Sequence, residues 1–398
     1  MVTRGTIGGA QTSVFALALA LRARGEDVVV AFGMPRPSGA GENDFLKEEC
    51  EKNDIPYHRL PSLRRSFNPI LNGMFIWEAK QLIDQNHYAV VHVNSSNALF
   101  AGIAAIISRT KPKVIFTFHG LSFFDKGADV PALVRLTVAL AYRALLLFVD
   151  VVVFVSKKNY AAARARGLVR TGTGTVIHNG IAPETLAFVE RGVARRELER
   201  ITQYELKDSF LIGSIGRLDM AKNYEFLVEQ MADIAVKHPH VRALIIGDGP
   251  ERQKMEHLIK KHGLGKNVIL AGEIPHAARY LKAFDVFILP SRYEGFSISI
   301  LEALFASIPI LASDVGGAKE QLSHAPFQAY PPSNAKAFCE RMERLIENPS
   351  VCKELAEANR ARSGDFHINK TADAYMRLYR GDTTREGYNK YAHAVSTP

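Results

Sequence analysis

Short runs rich in β-branched residues alternate with helix-length amphipathic segments along almost the whole 398-residue chain, and this constrains its fold more than any other feature. Strands separated by helices cannot pair as hairpins; they line up in parallel, with helices covering the sheet faces. The pattern places strands at residues 28–32, 89–93, 114–118, 150–155 and 175–178, with helices at 11–24, 42–53, 70–85, 97–109, 132–147 and 157–166. It lapses after Asn179-Gly180, where the charged stretch 182–208 is expected to bury little and to act as a linker. Strands resume at 211–215, 242–247, 267–271, 286–290 and 308–312, with helices at 224–237, 251–262, 277–284 and 298–306 between and beyond them and helical sequence over 334–380. The expected architecture is α/β, with two doubly wound Rossmann-like domains at 1–181 and 209–365 and a cleft between them, where such sheets bind ligands.

Composition removes several alternatives. With 47% hydrophobic and 23% charged residues, the chain is neither largely disordered nor a membrane bundle. Cys50, Cys339 and Cys352 form no CxxC pair, so neither a disulfide framework nor a structural zinc site is expected, and a reducing cytoplasm fits. The apolar run 14–21 is followed by Arg22 and Arg24 rather than a cleavage site, and 136–155 is cut by Arg143 and Asp150 into runs too short to span a bilayer.

The net charge of +9 is uneven, with 21 Lys and Arg against 14 Asp and Glu through Glu184, and 29 against 27 beyond it. Arg59, Arg64 and Arg65 lie close in sequence, as do Arg109, Lys111 and Lys113. Together with the apolar Phe67, Phe75, Phe123 and Phe124, they suggest a first domain that meets an anionic membrane; an ordinary solvated basic face is the plainer alternative. No nucleic acid is expected, since aromatic residues do not interleave with these clusters.

The second half opens with an apolar strand that runs into Gly216-Arg217-Leu218-Asp219-Met220-Ala221-Lys222-Asn223 and then a helix. A glycine at a strand's carboxyl end lets backbone approach a ligand, and two cations five positions apart beside a helix N-terminus suit a diphosphate. Taken alone, the same two cations read more readily as solvated surface. Further on, Glu294 and Glu302 stand eight positions apart, with Gly295 freeing the turn between strand and helix. A loop carboxylate can accept hydrogen bonds from sugar hydroxyls, and one in the first helical turns can grip a ribose diol. An isolated pair would be helix surface, but this helix is otherwise apolar, and a carboxylate buried there without partners is costly.

These elements, together with Gly247-Asp248-Gly249-Pro250, Gly8-Gly9, His119-Gly120, Val155-Ser156, Asn179-Gly180 and Asp314-Val315-Gly316-Gly317, resemble in type and order the motifs of the retaining glycosyltransferases of family 4, including the Glu-x7-Glu signature. The resemblance covers nearly the whole chain. It implies the GT-B fold, a nucleotide-sugar donor as substrate with no cofactor, a glycan or lipid-linked acceptor, and a helix at 366–380 packing back on the first domain, ahead of a tail at 381–398. Residue by residue it assigns the donor diphosphate to Arg217 and Lys222, the transferred sugar to Glu294 and the ribose to Glu302. Gly216, Gly295, Phe296, Ser297, Gly316 and Gly317 line the donor, Gly8 and Gly9 approach the diphosphate from the other domain, and His119 lies near the sugar. On its own, a histidine after a buried strand is more often structural.

No metal is expected, because no Asp-x-Asp occurs in the chain and two side-chain cations can stabilise the leaving diphosphate. A nucleotide-sugar 2-epimerase shares the architecture but lacks the combined Arg217, Lys222, Glu294 and Glu302, and a dehydrogenase would need a GxGxxG that neither half opens with. The remaining alternative is a catalytically degenerate sugar-nucleotide-binding scaffold. It is kept because only Met1 to Arg4 precede Gly5 where a full first strand is expected, which reads either as a start placed too far downstream or as a strand reduced to a stub.

Overall fold

The structure is a computed structural model that describes residues 1–2, 5–6, 8–34, 44–65, 68–121, 131–169 and 174–382. The chain divides into two compact units, one holding the described residues up to Gly180 and those from Ile368 onward, the other Ile181–His367.

In unit 1 the elements are α1 (Gly9–Arg22), β1 (Val30–Gly33), α2 (Phe45–Lys52), β2 (Tyr57–Leu60), α3 (Pro69–Asn86), β3 (Val90–Val93), α4 (Ala101–Ile107), β4 (Lys113–Phe118), α5 (Ala132–Leu145), β5 (Val151–Phe154), α6 (Lys157–Ala165) and β6 (Gly174–Val176). Strands β3-β4-β5-β6 form one parallel sheet and β1-β2 a parallel pair. Val2 makes a parallel bridge to Phe32, and Met1 O accepts from Asn94 N at 2.9 Å, so the first two residues pair with β1 and with the end of β3. Every residue of β5, Val-Val-Val-Phe, is buried, as expected of a parallel strand covered on both faces.

Unit 2 runs α7 (Arg191–Thr202), β7 (Phe210–Ile215), α8 (Tyr224–Lys237), β8 (Val241–Ile246), α9 (Arg252–Lys261), β9 (Val268–Gly272), β10 (Val286–Leu289), α10 (Ile298–Phe305), β11 (Ile310–Ser313), α11 (Ala318–Gln321), β12 (Ala329–Tyr330), α12 (Ala335–Glu347) and α13 (Pro349–Ser363). Its sheet is parallel in the order β12-β11-β10-β7-β8-β9. The order reverses between β7 and β10, which neighbour each other although two strands separate them in sequence. Here the connections leave in opposite directions and open a crevice beyond the strand ends.

The last helix, α14 (Ile368–Arg380), belongs to unit 1. His92 Nδ1 lies 2.7 Å from the Tyr379 hydroxyl, Thr117 Oγ1 lies 2.9 Å from the Tyr375 hydroxyl, and Lys113 Nζ donates to Leu378 O at 2.6 Å. Gly180 is fixed by this packing, since a Cβ there would stand 2.5 Å from Thr371 Oγ1 and 2.9 Å from Ile368 Cα.

The structure departs from the sequence reading at three places. Residues 182–208 are not a stretch that buries little. They carry α7, whose Ala194, Arg195 and Leu198 are buried, and the Arg195 guanidinium donates to Ala283 O, Leu206 O, Lys207 O, Ser209 O and Asp285 Oδ2 at 2.6 to 3.1 Å. An arginine whose donors are all met by carbonyls and a carboxylate can be buried where composition alone suggests solvent. Strands β2 and β12 were not expected; β2 is polar and mostly half-buried, and β12 has two residues. The proposed membrane-facing apolar surface fails at Phe75, which is 1% exposed in the unit 1 core, while Phe67, Phe123 and Phe124 lie outside the described residues. Arg59 is likewise not a free cation, since it pairs with Asp44 and stacks on Phe32. No helix of the described residues is long and apolar enough to cross a membrane.

Candidate active site

In unit 2 the two strands that flank the reversal, together with β11 beside β10, deliver the predicted loop residues to the sheet's carboxyl edge. Gly216 to Lys222 follow β7, Glu294 to Ser297 follow β10, and Gly316 and Gly317 follow β11. Lys222 Nζ lies 2.6 Å from Glu294 Oε1, and the same oxygen accepts from Ser291 Oγ at 2.8 Å. Burial by itself would lower the Lys222 pKa, but the charge of Glu294 and its hydrogen bond outweigh burial and hold it above its ordinary value. The two loops are pinned together independently of this pair. Asn223, in the left-handed region at φ 55°, donates from Nδ2 to Pro290 O at 3.2 Å and accepts from Arg292 Nε at 2.9 Å, while Arg292 N donates to Ala221 O at 2.8 Å.

Arg217 points the other way in its energetics. Its side chain is 66% exposed, and its nearest ionic neighbour is Asp219, 3.9 Å from Nε. It is a cation without close neutralisation, held at the mouth of the strand.

Glu302 sits on α10, whose N-terminus is capped by Ser297 Oγ accepting from Ile300 N. The loop before it is held by the fully buried Gln321, which donates from Nε2 to Ser297 O at 2.8 Å and accepts from Ser297 N at 3.3 Å. The Phe296 ring packs edge-on against Phe366 at 5.6 Å. The side chains of Phe296 and Ser297 thus serve the loop's own structure. The Glu302 carboxyl has no hydrogen-bond or ionic partner among the described residues, and burial pushes its pKa up to about 7. Gly316, at φ 52°, lies so close that a Cβ would stand 2.2 Å from Glu294 O, and Gly317 N donates to Gly295 O at 2.8 Å. The loops carrying Glu294 and Gly316 therefore form one packed unit.

Unit 1 carries the other three predicted residues. Gly8 and Gly9 open α1, with Gly8 O accepting from Thr12 N and Gly9 O from Ser13 Oγ, both at 2.9 Å. His119 follows β4; its Nε2 donates to Asn94 Oδ1 at 3.0 Å, its Nδ1 is buried with no partner among the described residues, and burial lowers its pKa to about 4. Ser13, Asn94, His119 and Asn179 border one small cavity. Sequence reasoning missed Asn94, Ser291, Asn223 and Gln321; Asn94, Asn223 and Gln321 matter through contacts distant in sequence, and Ser291 through a local bond to Glu294 that no motif marks. Among the described residues no three His, Cys, Asp or Glu side chains cluster to hold a metal ion.

Comparison with known proteins matches this layout. The family described as "Glycosyl transferases group 1" matches residues 196–362, and the one described as "Glycosyltransferase Family 4" matches residues 7–185. EpsD of Bacillus subtilis strain 168, named as a glycosyltransferase, is 27% identical over 334 residues, covering 83% of this chain and 84% of its own. The O-antigen biosynthesis glycosyltransferase WclY of Escherichia coli is 25% identical over 213 residues, 54% of this chain and 57% of its own. Among solved structures, HepE of Anabaena in complex with UDP-glucose superposes with a TM-score of 0.79 at 19% identity over 96% of this chain and 98% of its own. Sucrose-phosphate synthase of Thermosynechococcus elongatus superposes with a TM-score of 0.76 at 23% identity, covering 94% and 93%. With two successive family matches over most of its length and a fold shared with these GT-B enzymes, the chain is a glycosyltransferase of the group 1 type.

Proposed function

We propose that the protein is a retaining, metal-independent transferase that moves a sugar from a nucleotide-sugar donor to a glycan or lipid-linked acceptor of the cell envelope, working on the cytoplasmic side of the membrane. The observation that carries this reading is the Lys222–Glu294 pair joining the loops after β7 and β10, with the exposed cation Arg217 on the first of these loops and the partnerless carboxyl Glu302, its pKa near 7, on the helix that follows the second. A uridine diphosphate sugar is the first donor to test, because HepE, which shares the fold, was solved with UDP-glucose. The envelope acceptor is supported by the O-antigen role named for WclY.

In this reading Glu302 accepts hydrogen bonds from the ribose diol, Glu294 from hydroxyls of the transferred sugar, and Arg217 and Lys222 neutralise the diphosphate. Gly216, Gly295, Gly316 and Gly317 let backbone approach the donor, and Gly8, Gly9 and His119 are proposed as further donor contacts carried by unit 1. The bond from the anomeric carbon to the β-phosphate oxygen breaks as the acceptor oxygen bonds to the same face of that carbon, and the acceptor's proton passes to the departing phosphate. Negative charge grows on the β-phosphate along this path, so fixed cations stabilise the transition state more than the ground state. Lys222 enters this state by exchanging part of its bond to Glu294 for the phosphate, which frees Glu294 to accept from the sugar.

The experiment is a donor screen with purified protein over UDP, GDP and ADP sugars, with water and with lipid-linked acceptors, in excess EDTA. Release of nucleoside diphosphate with retention of anomeric configuration supports the reading. Activity that vanishes in EDTA and returns with a divalent ion contradicts its metal-independent part.

A further inference from the structure

Sixteen large apolar side chains are exposed among the described residues, and ten of them sit on α3, α4, α5 and the turn after α5. These three helices share the unit 1 core and cover its sheet side by side. On α5, Val138, Ala139, Tyr142 and Leu145 pack inward, while Leu133, Leu136 and Leu140 are 53% to 72% exposed on the opposite side. Apart from Arg135, Thr137 and Arg143, α5 is apolar on its outer as well as its inner side, whereas a soluble surface helix turns charged and polar residues outward. Leu147 (79% exposed) and Ile106 continue the face, and between them lies a groove of about 530 Å³ lined also by Phe148, Lys111 and Lys113. The groove opens at the amino ends of β4 and β5. His119 lies at the other end of β4, roughly 20 Å away at about 3.3 Å per residue.

The charge of this region decides what covers it. From residue 101 to 150 the described residues hold five Lys and Arg and one acid, Asp150, whose carboxylate accepts from Val114 N at 2.6 Å. The nearest acids on α3 are also engaged, Glu78 with Ser62 and Asp84 with Lys80 and Arg109 N. A symmetric pairing of two copies through this face would set the same cations against each other. An anionic bilayer offers the opposite charge at its surface and apolar depth below it.

We infer that the outer face of α3, α4 and α5 docks unit 1 onto an anionic lipid bilayer, the leucines of α5 entering the interface and the exposed Arg109 and Lys111 meeting lipid phosphates. This goes beyond the transfer reading and does not depend on the unit 2 site.

Trp77, the single tryptophan, lies on the exposed side of α3 and reports on docking directly. The full chain is titrated with vesicles of phosphatidylcholine and phosphatidylglycerol at about 7:3 and with pure phosphatidylcholine vesicles, following Trp77 emission and flotation. The expected result is binding with a blue shift to the anionic vesicles alone, weakened by salt as the Debye length falls from about 10 Å at 0.1 M to about 3 Å at 1 M. Leu136→Gln with Leu140→Gln, at exposed positions where melting temperature should not change, is expected to weaken binding about tenfold or more. Arg109→Glu with Lys111→Glu should abolish the preference for anionic lipid. No binding to anionic vesicles, or equal binding by the Leu136→Gln/Leu140→Gln variant, overturns the inference, as does a dimer in solution that this variant dissolves. Calorimetry with UDP on the same proteins reads the donor site separately, so a failure there leaves the vesicle result standing.

Discussion

Lys222 Nζ and Glu294 Oε1 stand 2.6 Å apart, tying the loop after β7 to the loop after β10, and each side chain is at most one-fifth exposed. The pair neutralises itself in the free protein, and under the proposed function it rearranges to admit a diphosphate and a sugar. Glu294→Ala leaves Lys222 unpartnered in a mostly buried place and is expected to cost about 1 to 3 kcal/mol of stability. Lys222→Met with Glu294→Leu should recover most of that loss while remaining inactive. Urea denaturation of the two singles and the double closes the cycle, and a fully additive double would contradict the coupling.

Arg217 is expected to separate stability from turnover. At 66% side-chain exposure, its replacement by alanine should change stability by no more than about 0.5 kcal/mol. Its kcat/KM should nonetheless fall by about 2 to 4 kcal/mol in activation free energy. A variant that unfolds early, or one that turns over donor at the wild-type rate, would contradict the role given to it.

Glu302 makes the free protein pH-sensitive in a stated direction. Burial raises its folded-state pKa from the ordinary 4.5 to about 7, so between those values the native state keeps a proton that the unfolded state has released. Stability therefore falls as pH rises from about 4.5 to about 7 and stays lower by about 3 kcal/mol above that. Glu302→Gln should be more stable than wild type at pH 8 and no more stable at pH 4.5. The variant should bind UDP more weakly, and wild-type affinity should rise with pH through 7 as the carboxylate forms to accept the ribose diol. Calorimetry in buffers of different ionisation enthalpy should detect the released proton; a flat pH dependence would remove Glu302 from the nucleotide site.

Gly316→Ala tests how tightly the sugar-side loops are packed. Its φ of 52° and the 2.2 Å approach of a Cβ to Glu294 O leave no room without moving Glu294. A loss of about 1 to 3 kcal/mol in stability is expected, together with reduced turnover at unchanged UDP affinity. Wild-type kinetics in that variant would show that Glu294 is not held in place by Gly316.

Much of this was legible in the sequence because periodicity and strand-end glycines are local signals. The strands that carry the site appear where β-branched runs predict them, and Glu294, Glu302, Arg217 and Lys222 fall on loops or first helical turns as their spacing requires. What could not be read depends on contacts far apart in the chain. Arg195 looks like solvated charge until Ala283, Leu206, Lys207, Ser209 and Asp285 surround it. Gln321 and Asn223 are ordinary polar residues until their partners at Ser297 and Pro290 are known. Phe75 reads as surface in the sequence because aromatic residues near basic clusters look alike whether they face solvent or the core.

If Arg217 and Lys222 hold a nucleotide-sugar diphosphate and supply, without a metal, the charge that its departure needs, turnover should survive chelation and depend on both cations. The most direct measurement is the rate of nucleoside diphosphate release from a turned-over nucleotide sugar in excess EDTA, for wild type, Arg217→Ala and Lys222→Ala. Full activity is expected for wild type, with a loss of about 30-fold to 1,000-fold in kcat/KM for each variant, the range that about 2 to 4 kcal/mol implies. Near-wild-type release by both variants, or no release by wild type until a divalent ion is added, would contradict it.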